Sequence, residues 1–276
     1  MALRPAELTD QIPGLLRYAL LLTRDETAAA DLVQETLLRA LERGSGFRGE
    51  ASPGTWLRRV LHHRFVDQVR ADREVPMGGD DLDRAVEAAW QADAYTVDGE
   101  AVVRRAEVVE ELADALIRLP AEVRSAVLLH DVEGLTSAEV ARVQDVGVPA
   151  AKARIRRGRA ALVSLLADGP PPLPPHRDGV PLRCWDARSR VEDYLDDELD
   201  SQERSRLERH LAGCPTCPEL YAALVGVRAG LHGVSSRSGR DPESVVPAAL
   251  ADRVRQVLQA RGESAESEAS RPVRSR

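Results

Sequence analysis

The stretch Thr23 to Arg43, TRDETAAADLVQETLLRALER, decides how the rest of the chain is read. Thr23 followed three residues later by Glu26 matches a capping box, in which hydroxyl and carboxylate each satisfy a free backbone donor, so a helix is predicted to begin here. Ala29, Leu32, Val33, Leu37, Ala40 and Leu41 recur at helical spacing and make one apolar face, while Asp31, Glu35, Leu38 and Glu42 line another. An acidic stripe containing a leucine suits a docking surface, although charge alone reads equally well as a solvated helix face.

The bulk numbers bound the answer. A chain of 276 residues favours two or three small domains. With 43% hydrophobic, 30% charged and only 3% aromatic residues it suits small helical bundles better than sheets, so the expected class is all-α. No run approaches the roughly 20 apolar residues of a membrane span, and the N-terminus lacks a signal-peptide pattern, so a soluble, cytoplasmic protein is expected. A net charge of −7 excludes a uniformly basic nucleic-acid coat; any DNA contact must be local. Three cysteines, all after residue 180 and two of them in Cys-x-x-Cys, read as a metal or redox site rather than a disulfide framework.

Upstream of the opening stretch, Leu8, Ile12, Leu15, Leu16, Ala19 and Leu22 predict a first helix over Pro5 to Leu22. Downstream, Gly44 is placed to close the second helix, a glycine-rich loop carries Phe47 and Arg48, and Ser52-Pro53 starts a third helix running to about Arg73. On that helix Leu57, Val60, Leu61 and Phe65 share a face, and Arg59, His62, His63, Arg70 and Arg73 fall on another. A basic stripe beside an aromatic loop suits a DNA strand with unstacked bases.

Asp31-Leu32-Val33-Gln34-Glu35-Thr36-Leu37-Leu38-Arg39-Ala40 resembles the signature segment of region 2 of bacterial sigma factors of the extracytoplasmic-function type, and Phe47-Arg48-Gly49, Trp56-Leu57 and Asp67 fall where that family has its FRG, WL and ID landmarks. The resemblance implies that residues 1–75 form sigma region 2. Asp31, Gln34, Glu35, Leu38 and Glu42 would then dock on the β′ clamp helices of core RNA polymerase. Phe47, Arg48, Trp56, Arg59, His62, His63, Arg70 and Arg73 would hold the −10 promoter element as single strand. His63 and Arg64 depart from the family's usual asparagine and apolar residue.

Residues 76–101 are acidic and read as a tether with one short helix around Trp90. A second helical unit is predicted over 102–168. Leu112, Ala115, Leu116 and Leu119 mark one helix; Val123, Val127, Leu128 and Val132 mark the next, between Pro120 and Gly134. Thr136 with Glu139 is a capping box opening a short helix; a turn over 144–148 precedes Pro149 and a long helix to about Leu166, the helix-turn-helix arrangement. In the long helix Ala151, Ile155, Gly158 and Leu162 face inward and Lys152, Arg154, Arg156, Arg157 and Arg159 supply cations for phosphates and guanine edges. This resembles region 4 of the same family, which reads the −35 element and carries a Lys-x-Arg at Lys152 and Arg154. Asp145 stands for the family's turn glycine, and Asp tolerates the left-handed backbone region.

After a proline-rich spacer over 169–182, Cys184, His210, Cys214 and Cys217 form the pattern Cys-x25-His-x3-Cys-x2-Cys, a donor set that can converge on one tetrahedral Zn²⁺. Residues 183–232 resemble the zinc-binding anti-sigma domain through Val191-Glu192-Asp193-Tyr194-Leu195-Asp196-Asp197-Glu198-Leu199 and His210-Leu211-Ala212-Gly213-Cys214-Pro215-Thr216-Cys217. That resemblance implies a following helix, Glu219 to Leu231, packed on the sigma regions through Leu220, Ala223, Leu224, Val227 and Leu231. The tail 233–276 is polar apart from one amphipathic segment, Ala248 to Ala260, and is expected to be mostly disordered.

The chain is therefore read as a non-enzymatic sigma factor, all-α, with two helical sigma domains and a small zinc-binding domain that regulates it in cis. Its expected partners are core polymerase, promoter DNA and its own appended domain, with no membrane. Whether that domain inhibits, senses metal or redox state, or activates stays open at this level, as does structural versus switchable zinc. The other readings are a stand-alone helix-turn-helix regulator with a zinc- or redox-sensing domain, and a zinc hydrolase; four protein ligands leave the latter no position for water.

Overall fold

The computed structural model describes residues 8–42, 51–71, 79–92, 95–167 and 182–237, and every regular element among them is helical. The all-α expectation therefore holds. Gly44, the loop with Phe47 and Arg48, Arg73, the proline-rich spacer and the segment from Ala248 to Ala260 lie outside the described residues. The described residues divide into two compact units, one up to residue 65 and the other from 66 to 237.

In the first unit, helix α1 (Ile12–Thr23) packs along α2 (Glu26–Glu42), and α3 (Pro53–Ala71) begins in the same unit. Leu15, Leu16, Ala19 and Leu22 of α1, Ala29, Leu32, Val33, Leu37 and Ala40 of α2, and Leu57, Leu61 and Phe65 of α3 are buried, as their helical spacing requires. The start of α2 corrects the expected capping box. Thr23 is the last residue of α1, its hydroxyl donating to the Ala19 carbonyl at 2.9 Å, and Arg24 turns the chain at φ 58°. The cap is Asp25, whose carboxylate accepts the Ala28 N–H at 2.7 Å. Ser52 caps α3 as predicted, accepting the Thr55 N–H at 3.1 Å, with Pro53 in the first turn.

The second unit contains α4 (Gly79–Gln91), α5 (Gly99–Ala106), α6 (Val109–Ile117), α7 (Ala121–Val127) running into a π-helical turn (Leu128–Val132), α8 (Ser137–Gln144), α9 (Val148–Leu166), α10 (Cys184–Arg188), α11 (Val191–Leu195), α12 (Ser201–Gly213) and α13 (Cys217–Arg237). The stretch read as a tether is more ordered than its acidity suggests: α4 is a three-turn helix with Val86 and Trp90 buried, packed on α9 and α10, and Thr96 and Val97 are buried after it. Its apolar residues are few but sit on one face, which is enough to dock.

Helix α9 is the centre of this unit, touching α4, α5, α6, α7, α8 and α13. Close approach of α7 and α9 depends on Gly158, where a Cβ would lie 2.3 Å from Val127 Cγ2. Helix α13 lies along α5, with Leu220, Ala223, Leu224, Val227 and Leu231 all buried. Gly226 and Gly230 are four residues apart on its contact face; a Cβ at Gly230 would come within 2.3 Å of the Ala106 carbonyl oxygen. A Gly158→Leu variant is expected to lose about 1–3 kcal/mol of stability through overpacking against Val123 and Val127, read as a lowered Tm in thermal unfolding; an unchanged Tm would show that α7 and α9 do not pack this way.

Candidate nucleic-acid interface and metal centre

The two helices of the helix-turn-helix are set by local chemistry. Thr136 and Glu139 form the full capping box, the Thr136 hydroxyl accepting the Glu139 N–H at 3.3 Å and the Glu139 carboxylate accepting the Thr136 N–H at 2.9 Å. That backbone hydrogen bond is the main cause holding the Glu139 carboxyl below its ordinary pKa. Asp145 ends α8 in the left-handed conformation, φ 58° and ψ 46°, in the role expected of it. Gln144 then ties the motif together: its amide donates to the Glu122 carbonyl at 2.8 Å, and its oxygen accepts from Arg154 at 2.9 Å.

Along α9, residues 147–150 are exposed and Ala151, Ile155, Gly158 and Leu162 are buried. Lys152, Arg154, Arg156 and Arg157 are half-buried at the surface. Arg159, expected among the surface cations, is instead buried: it is 0% exposed and grips Asp131 of the π-helical turn through two bonds of 2.9 and 2.5 Å. It lies four residues after Ile155 and three before Leu162, on the inward face, where a long cation is tolerated only with a paired carboxylate.

The surface cations of α9 meet residues to which the sequence assigned no contact. Lys152 Nζ bonds Asp193 Oδ1 at 2.9 Å and also Glu198 Oε2, and these two carboxylates hold the ammonium above its ordinary pKa. The Arg156 guanidinium sits 6.0 Å from the Trp185 ring centre. Deeper in, His130 Nδ1 faces the Leu135 carbonyl at 2.7 Å and Nε2 faces Asp196 Oδ2 at 3.2 Å, so both ring nitrogens have an oxygen acceptor. Asp196 also pairs with Arg228 at 3.1 Å, which in turn is 4.0 Å from Asp131. Burial would lower the His130 pKa, but the Asp196 bond and the Asp131 charge outweigh it and raise the value above 6.5.

In the first unit, the five residues expected at polymerase share the outer side of α2: Asp31 and Glu42 are exposed, Gln34, Glu35 and Leu38 half-buried. Glu35 pairs with Arg64 at 2.6 Å and with Arg39 at 3.5 Å. The basic α3 residue Arg64, a departure from the family pattern, thus braces this acidic face. Of the −10 candidates, Arg59, His63 and Arg70 are exposed and Trp56 is half-buried. The end of α3 belongs to the second unit, where Arg70 pairs with Glu122 at 2.8 Å. His62 is a correction: it is 2% exposed, because the buried arc of α3 is wide enough to include His62 and Val66 beside Leu61 and Phe65. Phe47, Arg48 and Arg73 lie outside the described residues.

The four proposed ligands converge. The sulfur atoms of Cys184, Cys214 and Cys217 and a ring nitrogen of His210 all lie within 4.8 Å of one another, with His210, Cys214 and Cys217 buried. Cys184 Sγ and Cys214 Sγ are 3.6 Å apart, close to the edge of a zinc tetrahedron, roughly 3.5–3.8 Å for Zn–S bonds of about 2.3 Å. His210 Nδ1 donates to the Leu182 carbonyl at 3.0 Å, the outer bond that orients a metal-binding imidazole and leaves Nε2 as the lone-pair nitrogen. Burial pushes the Cys217 thiol far up, as expected of a sulfur that carries charge only beside a cation. For Cys214 burial is outweighed by hydrogen bonds from the Thr216 hydroxyl and the Cys217 N–H, which lower it. The cluster is compatible with zinc.

These features define a helix-turn-helix protein with an appended Cys3His domain. Residues 9–75 match the family model "Sigma-70 region 2", residues 109–162 match "Sigma-70, region 4", and residues 184–217 match "Putative zinc-finger". The chain is 33% identical over 153 residues to ECF RNA polymerase sigma factor SigM of Mycobacterium tuberculosis, covering 55% of this chain and 71% of SigM. It is 31% identical over 155 residues to ECF RNA polymerase sigma factor EcfG of Rhodopseudomonas palustris, covering 56% of this chain and 80% of EcfG. A solved sigma factor, RpoE of Bartonella quintana in complex with the anti-sigma factor NepR, is 24% identical, with a TM-score of 0.41 and coverage of 58% of this chain and 94% of that one. The chain belongs to the ECF RNA polymerase sigma factor family. Members of this family are regulatory rather than enzymatic proteins. No helix among the described residues is long and apolar enough to cross a membrane.

Two outcomes follow from this geometry. Because the His130 pKa is raised in the fold, its contribution to stability is complete below pH 6.5 and is lost as pH rises through the raised value; Asp196, held below 3.8 by His130 once burial is outweighed, adds a contribution that is lost in acid. Thermal unfolding against pH should therefore show a stability loss on the alkaline side that His130→Gln abolishes, and an identical profile in the variant would remove this role. Metal analysis of the purified chain should give one zinc per molecule, and Cys217→Ser should bind it at least tenfold more weakly, on the order of the effect of removing a ligand or its outer-shell partner.

Proposed function

We propose that this sigma factor directs promoter-specific initiation by core RNA polymerase and that its zinc-binding domain restrains it in cis. The outer face of α2 would dock on polymerase, α3 and its preceding loop would hold the opened −10 strand, and α9 would grip the −35 duplex. The observation that carries the restraint is the seating of α13 on region 4 and the helix leading into it: its apolar stripe is buried along α5, and it also touches α6, α9 and the π-helical turn. Gly226 and Gly230 permit a closeness that a loosely tethered domain does not need. Covalent attachment supplies a high effective concentration, so modest affinity is enough to hold the domain in place.

In this reading Cys184, His210, Cys214 and Cys217 would hold zinc, which when bound pins the ends of α10, α12 and α13 to one point. Tyr221 donates to the Ala187 carbonyl at 2.8 Å and Thr96 to the Thr216 carbonyl at 3.1 Å, so α13 is joined to α10, and the loop between Cys214 and Cys217 to the segment before α5. A stand-alone regulator is disfavoured because it would need no region 2, which is matched over residues 9–75.

Run-off transcription with core polymerase tests both halves. Reversing Asp31 and Glu35 to arginine should weaken polymerase binding by about tenfold or more through like-charge contact with a complementary partner; unaltered binding would refute docking through α2. Removing residues 169–276 should raise transcription if the domain restrains, and a fall would make it an activator instead.

A further inference from the structure

We propose that α11 and the turn after it, which bear Asp193 and Glu198, stand on α9 in the place of DNA phosphates, so that the zinc-binding domain and duplex DNA compete for Lys152 and Arg156. This deepens the restraint proposed above and rests on reading α9 as the DNA-contacting helix. It names what is blocked, which is the electrostatic grip on the duplex, and what blocks it, which is a pair of carboxylates.

The carboxylates are preorganised. The Glu198 N–H donates to the Asp193 carbonyl at 2.7 Å, closing a loop in which Asp197 adopts φ 60°, and Asp200 caps α12 immediately afterwards by accepting the Gln202 and Glu203 N–H groups at 2.8 Å each. Two anionic oxygens are thereby presented to one ammonium, the way successive phosphate oxygens meet a lysine on a duplex. Trp185 offers its ring to Arg156 on the same helix, a face that a guanidinium uses much as it uses a base.

Exchange is physically feasible because these contacts are half-open to water. The side chains of Lys152, Asp193 and Glu198 are 34%, 39% and 48% exposed, so the pairs are screened and individually weak. Arg159, 0% exposed on Asp131, is a different kind of cation and takes no part. Residues 147–150, at the end of a recognition helix that approaches base edges, remain exposed, so a duplex has a place to begin engaging before the loop leaves. Binding is then reciprocal: the loop weakens DNA binding, and DNA weakens closure of the domain by the same factor.

Fluorescence anisotropy with the full-length protein and a labelled duplex of arbitrary sequence tests the competition. Asp193→Asn/Glu198→Gln should bind about three- to tenfold tighter than the parent, the fold-change that two exposed ion pairs convert to, and the slope of log K against log salt should steepen by about one as Lys152 becomes a net phosphate contact. Adding Lys152→Gln should erase the gain. Glu110→Gln/Glu208→Gln makes the same change in net charge at exposed positions outside that turn, and should gain nothing. Equal gain in that control, or no gain in the Asp193/Glu198 variant, overturns the inference. Core-polymerase binding, measured in parallel, reports separately on the sigma-factor reading: its loss would sink that reading, whereas retained polymerase binding with unchanged duplex affinity would sink only the competition.

Discussion

The arrangement around α9 depends on one ion pair taken wholly out of water. Arg159 and Asp131 are 0% and 1% exposed and bonded through two nitrogen–oxygen contacts, which sets the rotation of α9 against the π-helical turn and so decides which of its cations reach the surface. Leaving either partner alone in that site would cost about 3–5 kcal/mol, so the register of the helix is not negotiable. The same Asp131 is also approached by Arg228 of α13, at 4.0 Å from its Oδ1, and Arg228 holds Asp196 opposite His130. A single buried carboxylate therefore lies between the helix that would read DNA and the domain that would withhold it.

A second buried guanidinium joins the Cys3His cluster to the segment between the two sigma regions. Arg188, 1% exposed, donates to the carbonyls of Trp90, Ala92 and Tyr95 and to the Thr216 hydroxyl, the residue between two of the cysteines. Backbone carbonyls on an otherwise unremarkable stretch become the fixed acceptors of a charge donated from α10, and Trp90 packs beside them. This is why residues 79–92, acidic enough to read as a plain tether, carry a buried tryptophan and a regular helix: their order is supplied by the appended domain as much as by their own sequence.

Much of the architecture was legible because it rests on short-range chemistry. The capping box at Thr136, the left-handed Asp145, the Pro149 start of the long helix and the Ser52 cap each need only neighbouring residues, and each falls where expected. The misplaced residues share a cause. Thr23 has an equally good alternative bond, back to Ala19, and Asp25 was the better acceptor for α2. His62 and Arg159 are polar residues next to apolar ones, and a helical wheel cannot say how wide the buried arc is until the neighbouring helix is in place. The cysteine and histidine spacing marked the Cys3His cluster, yet it could not say that the Leu182 carbonyl would orient the histidine.

By itself the sequence determined the class, the two sigma regions in order and the members of the Cys3His cluster, because periodicity, caps and cysteine spacing are written over one or two turns of chain. Only the tertiary structure decided which arginine is buried, where α13 lies, and that Lys152 faces Asp193 and Glu198 across 41 and 46 residues. Those contacts arise from the relative placement of packed helices, and no local pattern in the chain encodes the distance between residues that meet only after it has folded.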